Sequence, residues 1–159
     1  MVNRDKEILV IGIGSEYRSD DRIGIEIARS LKTKNLLNVE IVVESGDGAT
    51  LMERWKKAET VILIDAVSSS AEPGTIHRID ANKQQIPSAF FHSSTHAFGI
   101  AEAVEIARSL HQLPSQIIIY GIEGSTFGVG GVLSSAVRAA INPTIKLIID
   151  EIKSLTDIT

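Results

Sequence analysis

The sequence predicts an α/β domain: a three-layer sandwich whose twisted, mostly parallel five-stranded sheet carries helices on both faces. Three observations point there. Short, continuous Ile and Val runs alternate with segments of helical period, the pattern of strands buried on both faces and linked by crossover helices. The chain has 159 residues, and a chain of roughly 150 hides about 70% of its unfolded surface, so residues 1–159 are read as a single domain. No internal repeat, low-complexity tract or linker divides it.

The first strand is EILVIGIG (7–14), which enters a glycine turn and then a helix over 21–33. Ile23, Ile27, Ala28 and Leu31 fall on one face of that helix and point it at the sheet. Gly24 within it costs about 0.5–1 kcal/mol relative to alanine, an expense that a close helix–sheet approach explains. VEIVVES (39–45) is the second strand, a helix over 49–57 follows, and TVILIDAV (60–67) is the third strand. GTIHRI (74–79) follows through SSSAEPG, too short for a helical crossover, so it is expected as an antiparallel edge. Ile100, Val104, Ala107 and Leu110 form a stripe on a helix over 96–111, with SSTH as its cap. QIIIYGIE (116–123) is the last strand. In the final helical segment, 133–155, Pro143 predicts either a kink or a new helix capped by Asn142 with the proline first.

Composition removes several function classes. A formal charge of −4 with no basic stripe argues against nucleic acid. The absence of cysteine removes disulfides, thiolate metal sites and cysteine nucleophiles. MVNRDKE leads straight into a strand without room for a signal peptide, and no apolar run reaches about 18 residues, so a cytoplasmic protein without membrane contact is expected. GIGSEYRSDD has Gly12 and Gly14, but Tyr17 replaces the third glycine of the dinucleotide fingerprint, and Asp20 and Asp21 would repel a pyrophosphate. The glycine-rich GIEGSTFGVGGVLSS lacks the Lys-Ser/Thr ending of a phosphate loop. It reads equally as a mobile connection or as a surface adapted to a partner.

Polar residues at three element ends carry the chemistry. Asp20 and Asp21 open the first helix, where the exposed N–H groups favour carboxylates. One cap suffices, so Asp20 is expected to cap the helix and support Asp21, leaving Asp21 for another task. Asp65 ends a buried strand, either in an Asx-turn or as a ligand. Because ligands bind outside the carboxyl ends of such strands, Asp21 and Asp65 can be neighbours across 44 residues of sequence. His96, in the expected first turn of its helix, is held neutral there, as metal ligation requires; His92 ranks below it. Two carboxylates and an imidazole make an O,O,N set suited to a borderline divalent ion such as nickel or zinc, with open coordination positions. His77, His111, Trp55 and Leu51 read as structural.

With these motifs in place the chain resembles the hydrogenase maturation proteases, endopeptidases that trim a C-terminal extension from the nickel-iron hydrogenase large-subunit precursor. ILVIGIGSEYRSDDRIG is similar to the family's Gly-x-Gly-Asn opening with its acidic pair, VILIDAV to its Asp-Ala strand end, and STHAFGI to its Thr-His helix start. The resemblance implies that Asp21, Asp65 and His96 are both the catalytic and the metal-recognising residues. It also implies that the ion is nickel already installed in the substrate, that no organic cofactor is needed, and that the partner is the large-subunit precursor. The ion would either dock the substrate or polarise the scissile carbonyl. No His-Glu-x-x-His is present, which separates the chain from ordinary zinc proteases. The sequence departs from the family pattern at Ser15, where asparagine is usual, at Arg22, where glycine is common, and in ESGDGAT, with Glu44 and Asp47 where an Asp-Gly-Gly-Thr type is found. Two other readings stand beside it: a non-catalytic binding module of the same fold, and a nucleotide-binding α/β domain.

Overall fold

The computed structural model describes residues 7–87, 89–91 and 98–156. The elements run β1 (Ile8–Ile13), a 3-10 turn (Ser19–Arg22), α1 (Ile23–Lys32), β2 (Val39–Glu44), α2 (Gly48–Trp55), β3 (Thr60–Val67), β4 (Ile76–Asp80), α3 (Ile100–Ser109), β5 (Gln116–Glu123), α4 (Ser135–Ala139) and α5 (Ile141–Thr156). The sheet order is β2-β1-β3-β5-β4. β2, β1, β3 and β5 are parallel, and β4 pairs antiparallel with β5 at the edge, as its short connection predicts.

Burial alternates from one face to the other along every central strand, which is why those strands read as unbroken apolar runs. Ile8, Val10, Ile62, Ile64, Ile118 and Tyr120 face one layer, where Ile23, Ile27 and Leu31 of α1 and Ile145, Ile148 and Ile152 of α5 cover them. Leu9, Ile11, Val61, Leu63, Ile117 and Ile119 face the other, under Leu51 and Trp55 of α2 and Ala103, Val104 and Ala107 of α3. Across the first of these layers Glu151 of α5 accepts from Arg78 Nε of β4 at 2.6 Å and from the Tyr120 hydroxyl of β5 at 2.8 Å.

Several boundaries differ from the sequence reading. α1 begins at Ile23 because Ser19–Arg22 form the 3-10 turn, which takes up both aspartates. α3 begins at Ile100 with Gly99 as its N-cap, and the Glu102 carboxylate accepts the Gly99 N–H at 3.1 Å; that contact fixes the start after the SSTH segment. Leu110 lies past the end of α3 and is 56% exposed, so it leaves the stripe that Ile100, Val104 and Ala107 keep. The final helix is broken at Ala140 rather than capped by Asn142, and Pro143 is the third residue of α5. Its missing N–H falls among first-turn groups that have no partner within the helix. Thr144 secures the turn instead, its N–H and hydroxyl both donating to Ala140 O, at 3.0 and 2.7 Å. Among the described residues no helix is long and apolar enough to cross a membrane.

Candidate functional site

In the order β2-β1-β3 the connections leaving β1 and β3 depart to opposite sides, which makes the β1/β3 junction the topological switch point of the sheet. Glycines set how closely the next layer approaches it. A Cβ on Gly24 would come within 2.3 Å of the carbonyl oxygens of both Ile13 and Ile64, and one on Gly12 within 2.4 Å of Gly24 O. The start of α1 is therefore wedged against the ends of β1 and β3, the close approach that Gly24 signalled. A Cβ on Gly14 would fall 2.0 Å from the Asp21 carbonyl, and Ser15 donates its N–H to that same oxygen at 3.3 Å. Gly12 thus serves the packing of α1 on β1, and Gly14 the close passage of the Asp21 backbone.

Asp65 follows Ile64 on β3 and is only 7% exposed. Its Oδ1 accepts the Ala66 N–H at 2.8 Å, a contact to the next residue rather than a turn closing its loop. Burial pushes the Asp65 carboxyl well above its ordinary value, the negative charge of Asp21 pushes it further, and the Ala66 N–H only partly opposes them. Asp21 itself lies in the 3-10 turn, where its N–H donates to Arg18 O at 2.8 Å. Two of the three expected site residues are thus within electrostatic reach of each other. His96 and the lower-ranked His92 lie outside the described residues. Among the described residues no group of three His, Asp or Glu side chains converges.

Asp20 corrects the sequence reading. Neither the 3-10 turn nor α1 has a side-chain cap. The Asp20 carboxylate, fully buried, instead accepts N–H groups from Ser125 (2.8 Å), Thr126 (3.0 Å) and Ser134 (2.7 Å) and the Ser134 hydroxyl (2.9 Å). Burial alone would raise its pKa, but these donors outweigh it and hold the carboxyl below its ordinary value. The Asp20 N–H donates to Thr126 O at 2.9 Å. Beside it the buried Ser19, at a positive φ of 23°, meets the Thr126 hydroxyl at 2.7 Å and donates to Val132 O at 3.0 Å. The glycine-rich connection after β5 is thereby latched at both ends to the turn that carries Asp21. No local pattern announces this; the only sequence hint is the run of Ser and Thr flanking the glycines.

The rest of the rim is also tied down. Glu123, 2% exposed at the end of β5, accepts the Ser69 N–H (2.8 Å) and hydroxyl (2.5 Å) and lies 3.2 Å from His77 Nε2. Burial would raise its pKa, and the Ser69 and His77 contacts more than offset that. His77, edge-on to Phe90 with ring centroids 5.1 Å apart, has the structural place expected of it. In ESGDGAT, Asp47 caps α2 by accepting the Thr50 N–H at 3.0 Å and hydroxyl at 2.7 Å, while Glu44 pairs with Arg54 Nε at 2.5 Å. Gly48 abuts the Phe98 ring and donates its N–H to Phe98 O at 3.1 Å, so the starts of α2 and α3 stand side by side at the same rim. Arg22 engages Glu26 of α1 at 3.3 Å.

Known proteins share this fold. The family model described as hydrogenase maturation protease matches residues 4–151. A Methanocaldococcus jannaschii protein named as a hydrogenase maturation protease is 30% identical over 159 residues, covering 94% of this chain and 99% of its own. The hydrogenase 2 maturation protease of Escherichia coli is 26% identical, covering 89% of this chain and 88% of its own. The solved structure of the E. coli hydrogenase-maturating endopeptidase HybD superimposes with a TM-score of 0.77 at 22% identity, covering 93% of each chain. A match that spans almost every described element, from β1 to α5, carries the conclusion: this chain belongs to the hydrogenase maturation protease family and is a hydrolase of that family.

Proposed function

We propose that the protein is the endopeptidase that removes the C-terminal extension of a nickel-iron hydrogenase large-subunit precursor once nickel has been inserted, and that Asp21, Asp65 and His96 receive that nickel. The observation that carries this reading is the buried Asp65 at the switch point of the sheet, within reach of the charge on Asp21. Burying a carboxylate beside a second one is costly, and a divalent cation removes both the desolvation and the repulsion. Two carboxylate oxygens with an imidazole nitrogen from His96 suit a borderline ion such as nickel. The ion arrives as part of the substrate, so a rim site with vacant positions fits the task better than a closed structural cage. Hydrolysis is thereby gated on metal insertion, since a precursor without nickel offers the acidic pair nothing to hold.

The test is incubation of the purified protein with nickel-loaded and nickel-free precursor, followed by mass measurement of the large subunit. A trim confined to the loaded sample is expected. Asp21→Asn, Asp65→Asn and His96→Ala are each expected to remain folded by circular dichroism and to leave the loaded precursor uncut. Equal trimming of both precursors would overturn the gating, and normal processing by all three variants would overturn the site.

A further inference from the structure

We infer that the joined loops 15–19 and 126–132 form a docking surface for a short apolar segment of the precursor, laid beside the acidic pair; this rests on the proteolytic reading above. Tyr17, Val129 and Val132 are 76%, 79% and 67% exposed. A single exposed valine needs no explanation, whereas apolar side chains gathered at one place mark a contact. These three sit on two segments that the fold has joined. Gly130 donates its N–H to Tyr17 O at 2.8 Å, Arg18 bridges to Val129 and Gly130, and Ser19 holds Val132 O at 3.0 Å.

The loop is built to present its valines. Gly130 and Gly131 turn at φ of 79° and 83°, and a Cβ on either would meet nothing within 4 Å, so crowding does not explain these glycines. Their positive φ does, and it turns the chain so that the flanking valines face outwards. Among the exposed large apolar residues described, only Leu37 is more open, at 84%, and it lies between α1 and β2 at the opposite end of the sheet.

Chemistry and size identify the occupant. Residues 124–134 contain no charged side chain, which fits an apolar segment and not a polyanion. Of the two charges on 15–19, Glu16 is paired with Arg29, whereas Arg18 is exposed and without an ion pair among the described residues, placed to meet a carboxylate on that segment. A stable dimer buries about 800 Å² per partner, while even an aromatic side chain supplies only about 150–250 Å². Three side chains suit a peptide and not a second copy. Asp20, latched to the loop, is the residue before Asp21, so a peptide lying on this surface runs onto the rim that holds Asp65.

The experiment is steady-state cleavage of nickel-loaded precursor by the full chain and by three variants: Val129→Ser with Val132→Ser, Arg18→Glu, and Leu37→Ser as a matched control at the far end. The first two are expected to raise KM about tenfold with kcat held, and the control to match wild type. Circular dichroism melts, expected unchanged, separate docking from folding. Wild-type cleavage with an unchanged KM in the double variant would overturn this inference alone. No cleavage of loaded precursor by wild type would overturn the proteolytic reading and this inference with it. A wild-type dimer in sedimentation that the double variant dissolves at constant KM would assign the patch to self-association and overturn the inference.

Discussion

Asp20 and Asp21 are chemically the same residue one position apart, and the fold gives them opposite surroundings. Asp20 takes four hydrogen bonds from a loop more than 100 residues away, while the negative charge of Asp21 acts on Asp65. Replacing Asp20 by alanine leaves three backbone N–H groups without their acceptor, so Asp20→Ala is expected to lose about 3 kcal/mol in urea unfolding. Asp65→Asn should do the reverse. It keeps an oxygen for the Ala66 N–H and has no ionisable proton to hold against burial and the Asp21 charge, so it is expected to gain about 1–2 kcal/mol at pH 7, as relief of strain at functional sites often does. The sign follows from the raised pKa: the folded state holds that proton more tightly than the unfolded chain, so wild type loses stability as pH rises above about 3.9, and the variant's advantage closes below that. Urea melts of both proteins at pH 3 and pH 7 check it. That Asp21 lies near enough for its charge to act on Asp65 was legible in sequence, because the turn after β1 and the end of β3 share a rim. The role of Asp20 was not, because its partners are backbone groups that only the folded loop supplies.

At the level of elements, periodicity located every strand and the faces of α1 and α3, because burial on two sides or on one leaves different spacings of apolar residues. Boundaries escaped where a single polar contact decides them. Glu102 fixes the start of α3, and Thr144 lets α5 begin two residues before Pro143. The seat of α5 on the sheet edge has the same character, depending on Glu151 between Arg78 and Tyr120. Burial would raise the Glu151 pKa, and its hydrogen bonds to Arg78 and Tyr120 and the Arg78 charge hold it below the ordinary value instead. Burial and the Glu151 contacts push the Tyr120 hydroxyl up, which keeps it a donor at neutral pH. A carboxyl with a lowered pKa contributes stability above its unfolded value of about 4.5 that disappears as pH falls through the folded value. Glu151→Gln is therefore expected to cost about 1–3 kcal/mol at pH 7 and progressively less below pH about 4.5. Thermal melts of the two proteins from pH 7 to 3 should converge.

For the molecule as a whole, the sheet is shared property. β1, β3 and β5 contribute alternate side chains to both apolar layers, so neither layer can lose its packing while the other keeps a flat sheet to lie on. Trp55 makes this measurable, because it is the only tryptophan in the chain and is buried on the α2/α3 side. Ile148 of α5 is fully buried on the opposite side. Ile148→Ala should remove about 2–5 kcal/mol, and in a chain of this size each kcal/mol lowers the melting temperature by about 2–4 °C. If the layers are coupled through the sheet, Trp55 fluorescence and far-ultraviolet circular dichroism will shift by the same amount and keep a common midpoint. A Trp55 transition that stays at its wild-type temperature while the circular dichroism midpoint falls would show two independently melting halves, and would refute the single three-layer domain.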